Sequence, residues 1–135
     1  PIHISEVTVS APDDTGRGRA IQAEIAKNFY RLWFSYPSVM GITWWNVVDG
    51  GAAPGEPSTS GIYDKELNFK PVFYTLNELI NKEWKTKETI SAKEEGIVSF
   101  RGFKGEYIVT WKDKNGKENK ARFYLKKDGD GLQIM

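Results

Sequence analysis

The 135 residues suffice for about one domain, and the absence of cysteine excludes disulfides and thiol catalysis. The lone histidine, His3, excludes a histidine-rich metal site, and a net charge of +1 gives no general electrostatic case for nucleic acid. No signal-peptide pattern or membrane-spanning run is present, and Pro1 is not a translation start, so the chain reads as a piece trimmed or cut from something longer.

The first predicted element is a strand over residues 1–9. Strand alternation places Ile2, Ile4, Glu6 and Thr8 on one face and His3, Ser5, Val7 and Val9 on the other. Residues 10–18 are dense in turn formers and read as a loop. A helix follows from about Gly18 or Arg19 to about Ser35, with Ile21, Ile25, Phe29, Leu32 and Trp33 at helical spacing and Pro37 marking its end. The second strand, about Val39 to Val47, is almost wholly apolar, as a strand buried in a parallel sheet would be. A loop rich in Gly, Ala, Pro and Ser covers 49–61. Pro71 is well placed to open a second helix that continues to about Trp84.

After Lys85 the pattern becomes strand-like, with candidate strands at 96–101, 106–112, 121–126 and 132–134. Asn115-Gly116 is a strong hairpin signal, and Asp128-Gly129 reads as a second turn. The expected division is a strand-helix-strand-helix unit over 1–86 and a small antiparallel β-module over 87–135. Residues 1–86 carry 8 Lys+Arg against 10 Asp+Glu, and 87–135 carry 11 against 8. The tail is mildly basic, which reads more simply as a solvated β-surface than as a polyanion site.

Glu6 is the first candidate for chemistry, a carboxylate near the end of a strand. Trp45 is the second, a ring with the parity of Gly41 and Thr43. Trp44 then faces the helices as ordinary core. Flat rings of this kind suit sugar faces, although core packing also explains them. Asp49, at the start of the following loop, suits either loop shaping or substrate contact.

Three segments, Ile4-Ser5-Glu6-Val7, Gly41-Ile42-Thr43-Trp44-Trp45-Asn46-Val47-Val48-Asp49 and Lys70-Pro71-Val72-Phe73-Tyr74, resemble in order and spacing the C-terminal part of family-10 glycoside hydrolases, the endo-β-1,4-xylanase family. Asn46 stands where glycine is usual in that family, and Thr8 where an aspartate is usual. The resemblance implies an α/β fold, the last two βα units (β7-α7-β8-α8) of a TIM (β/α)8 barrel, followed by the β-module. It implies Glu6 as the nucleophile of a retaining hydrolase and Trp45, Asn46 and Asp49 as substrate-binding residues, with no metal and no cofactor. Retention needs a second carboxyl about 5 Å away, and no residue here matches the family's proton donor. The expectation is therefore a secreted, extracellular or periplasmic parent enzyme that degrades β-1,4-xylan or a related polysaccharide. The piece itself would be inactive alone. Its expected partners are the polysaccharide or oligosaccharide and the remainder of the barrel or a second copy, with no nucleic acid and no membrane. The alternative is a carbohydrate-binding or scaffold module without catalysis, in which Phe103, Tyr107 or Trp111 of the tail could carry sugar affinity.

Overall fold

The computed structural model describes residues 1–92, 97–127, 129 and 131. The chain divides into two units, Pro1–Glu83 and Trp84–Met135. Unit 1 holds β1 (Ile2–Val7), α1 (Gly16–Phe34), β2 (Val39–Trp44) and α2 (Pro71–Glu78), the last continued by one π-helical turn, Leu79–Glu83. Unit 2 holds β3 (Gly105–Lys112) and β4 (Glu118–Leu125).

In unit 1, β1 and β2 pair in parallel, with Ile4 opposite Ile42 and Val7 opposite Trp44. The register shifts between Ile4 and Val7. Over residues 6–9 exposure alternates, with Val7 and Val9 buried and Glu6 and Thr8 exposed. A parallel pair cannot be joined by a tight turn, and α1 makes the crossover.

Local chemistry sets both ends of α1. Thr15 is its N-cap: the Thr15 Oγ1 accepts from the backbone N–H of Gly18 at 3.1 Å, satisfying one of the first-turn donors. Asp13 in turn accepts from the Thr15 hydroxyl and backbone N–H. At the other end the Ser35 N–H reaches back to the Arg31 and Leu32 carbonyls, and Pro37 stands just beyond. α2 opens with Pro71 inside its first turn, where a missing N–H costs nothing.

The core is small. Val7, Val9 and Ala11 of β1 and its extension, Ala23, Ala26 and Tyr30 of α1, and Val72, Leu76 and Leu79 make up the buried apolar set. Each such aliphatic side chain is worth ~1.5–3 kcal/mol when fully buried, with Ala below that range. Trp44 lies against Tyr30, with ring centroids 6.5 Å apart.

In unit 2 the hairpin is antiparallel, from Gly105 opposite Leu125 to Lys112 opposite Glu118. Tyr107, Val109, Trp111, Ala121 and Phe123 share its half-buried face. Tyr107 and Phe123 stack at 5.4 Å, and Phe100 meets both rings. The connection runs over Asp113–Lys117, longer than the two-residue turn that Asn-Gly favours. Gly116 alone takes the left-handed conformation there (φ 77°), because the Asp113 side chain organises the loop instead.

Two expectations need correction. The described strands form two separate two-stranded sheets, and no remnant of a TIM barrel is evident in them. The fold is a small α/β unit followed by a β-hairpin. A β1–α1–β2 crossover occurs throughout α/β folds, and nothing in its local sequence fixes closure into a barrel. Residues 97–101 form no strand. Gly96, Asp128 and the 132–134 strand lie outside the described residues.

Candidate functional site

The polar groups of unit 1 gather where the loop after β2 returns to the start of α2. Asp49 and Lys70 are its centre. The Lys70 ammonium donates to both Asp49 carboxylate oxygens at 2.9 Å and to the Thr59 carbonyl at 3.0 Å. Both side chains are almost fully buried, at 0% and 4% exposure. The Gly61 N–H donates to Asp49 Oδ1 at 2.8 Å. Glycine is required at that approach: a Cβ on residue 61 would run into the backbone of Val48, Asp49 and Tyr63. The pair thus ties the loop's two ends to the first turn of α2.

Gln22 braces the same loop from α1. Its amide N–H₂ donates to the Val9 carbonyl at 2.8 Å and to the Thr59 and Gly61 carbonyls at 3.2 Å. Its Oε1 is buried with no partner among the described residues. Asn46 is buried too, donating to Ser60 Oγ at 2.8 Å and Glu56 at 3.0 Å. The Trp44 indole N–H donates to the Asn46 carbonyl at 2.8 Å and the Ser60 carbonyl at 3.2 Å.

A second hub lies at Asp64. Its carboxylate accepts from the backbone N–H groups of Glu66 and Asn68, and Arg19 lies 3.3 Å away. The Asn68 backbone hydrogen bond, with the Arg19 charge adding, holds this carboxyl below the ordinary range. The turn it closes carries Leu67 at φ 63°, a left-handed conformation that costs a side-chain-bearing residue roughly 1–2 kcal/mol.

The residues singled out from sequence fall into two groups. Asn46 and Asp49 are drawn into the loop network, and their polar atoms are engaged by Ser60, Glu56, Gly61 and Lys70. Glu6 and Trp45 are exposed instead. Glu6 has no side-chain partner among the described residues, and Trp45 keeps 49% of its surface in solvent. The arrangement turns its polar groups on one another and leaves the Trp45 ring half in solvent. Sequence reasoning missed Gln22, Ser60 and Lys70 as members of the network. A lysine directly before a helix-opening proline was the one available sign, and it does not reveal burial. Among the described residues no group of His, Asp or Glu side chains could hold a metal ion.

No protein-family model matches the chain. It is similar to the anti-sigma-I factor RsgI6 of Acetivibrio thermocellus, at 32% identity over 110 residues. The match covers 82% of this chain and 13% of that protein. The chain therefore spans about an eighth of the length of the curated relative it matches.

This finding corrects the functional expectations drawn from the family-10 resemblance. The relative bears the name of an anti-sigma factor, and no family model supports a glycoside hydrolase. The reading of a xylanase fragment, and with it an enzymatic parent, polysaccharide degradation, a polysaccharide partner and a missing barrel or second copy as partner, is replaced by similarity to an anti-sigma factor. The short motifs behind that reading occupy strand ends and a helix start, where small apolar and aromatic residues also serve packing. Trp44 against Tyr30 is an instance.

Proposed function

We propose that this chain is a non-catalytic binding module of a regulatory protein, acting by holding a protein partner of the sigma-I-factor kind. One observation carries the reading: the 32% identity to an anti-sigma-I factor across most of the chain. The geometry is in keeping with it. The buried polar network spends its groups on rigidity, while apolar side chains face outward from a regular helix. Ile21, Ile25, Phe29 and Leu32 recur along one stripe of α1 and keep 38–51% of their surface exposed. Phe29 stacks on Trp33 with centroids 5.3 Å apart, which broadens the stripe. An apolar helical stripe at this spacing is the form in which helices are read by partner grooves, and Trp45 adds an exposed ring of the type enriched at interface anchors.

The experiment is calorimetric titration of this chain with a purified sigma-I factor. Saturable one-to-one binding that is lost in Phe29→Asp, with the variant's circular dichroism unchanged, is the expected result. Absence of binding by the folded chain would overturn the proposal.

A further inference from the structure

The hairpin turn holds a chemistry that the binding reading leaves unused. Asn115 is exposed and precedes a glycine that has no side chain to hinder approach to its backbone nitrogen. We infer that Asn115-Gly116 is a latent self-modification site, an asparagine poised for conversion to aspartate or its β-linked isomer, and that the native turn gates it.

The step balances with water alone. The Gly116 backbone nitrogen loses its proton and attacks the Asn115 side-chain carbonyl carbon. A carbon–nitrogen bond closes a five-membered imide, and the side-chain nitrogen leaves as ammonia. One water then opens the ring at either carbonyl. Opening at one restores the normal backbone with an aspartate side chain; opening at the other routes the backbone through the former side chain. Water enters and ammonia leaves.

The gate is visible in the hydrogen bonds. The nucleophile is occupied, because the Gly116 N–H donates to the Asp113 carbonyl at 2.9 Å. Asp113 Oδ1 fixes the flanking amides, accepting from Asn115 N at 2.8 Å and Lys117 N at 3.0 Å. The Asp113 N–H closes the turn on the Lys117 carbonyl at 3.0 Å. Ring closure needs the Gly116 nitrogen freed and rotated toward the Asn115 side chain, so it waits on opening of the turn. Two-stranded hairpins open readily, since few contacts oppose them. The β-linked product inserts an extra backbone carbon into the turn that follows the Lys112–Glu118 pair.

The test is prolonged incubation of the whole chain in mildly alkaline buffer, with and without urea, followed by peptide mass spectrometry at every asparagine. The expected result is conversion concentrated at Asn115 over Asn77, Asn81 and Asn119, several-fold faster in urea than in the native protein. Asp113→Ala, which removes two of the turn's acceptor contacts, should raise the native rate toward the urea rate. Asn115 converting no faster than the other asparagines in urea would remove the site. Equal rates with and without urea would remove the gate.

Discussion

At the scale of single residues, the buried ion pair has the most to lose. Asp49 and Lys70 sit in a site with almost no solvent, so each charge depends on the other. Removing one partner of a buried pair costs about 3–5 kcal/mol, whereas replacing both by apolar side chains of similar volume is often neutral. Lys70→Ala should therefore lower the urea midpoint of unit 1 strongly, read by tryptophan fluorescence. Asp49→Leu with Lys70→Met should recover much of the loss. A Lys70→Ala midpoint equal to the parent's would mean the pair contributes nothing. Tyr30 gives a second residue-scale prediction. It is 4% exposed, and burial raises its hydroxyl from 10.0 to about 12. A folded pKa above the unfolded one means the fold keeps the proton longer. The associated stability is whole below about pH 10 and is lost as pH climbs from there toward 12. Tyr30→Phe should flatten that part of the alkaline melting profile, measured by thermal denaturation across the range. An unchanged slope would show that Tyr30 titrates alike in both states.

At the scale of elements, α1 shows what a sequence makes legible. Its periodic apolar residues and its proline stop are local features, and local features fix helices. Its start at Gly16 lies before the expected Gly18 because Thr15, read as loop, is the cap. Thr15→Ala should cost about 1 kcal/mol in a denaturant melt, while Thr15→Ser should cost little. Equal losses in the two would place the effect in the Asp13 turn. The same turn depresses the Asp13 carboxyl, first through the Thr15 hydroxyl and then through its backbone N–H. A depressed carboxyl contributes above its unfolded pKa and ceases to as pH falls through the folded value, so capping weakens in acid. The loop network was less legible, because it joins residues distant in the chain: Gln22 to Thr59, Asn46 to Ser60, Asp49 to Lys70. No periodicity announces such pairs. The hairpin lay between these cases: Asn115-Gly116 located it, but Asp113 decided the turn's length.

At the scale of the whole molecule, local motifs proved a poor guide. Ordered strand-end and helix-start patterns fit more than one architecture, and closure of a sheet depends on strands beyond the motif. The identity to an anti-sigma-I factor integrates over 110 residues instead, and the proposed binding role rests on it. The charge distribution supplies a way to locate the contact. Lysine and arginine exceed acidic residues over 87–135 by 11 to 8, whereas the stripe of Ile21, Ile25, Phe29 and Leu32 is uncharged. A contact through that stripe draws on apolar burial, which simple salt barely alters. A contact through the lysines draws on screened charge, since the Debye length falls from roughly 10 Å at 0.1 M to 3 Å at 1 M salt. Binding of a sigma-I factor should therefore weaken by no more than a few-fold between those two salt concentrations. It should fall sharply in Phe29→Asp at either one. A steep loss of affinity with salt, with Phe29→Asp binding like the parent, would move the interface from α1 to the basic hairpin unit.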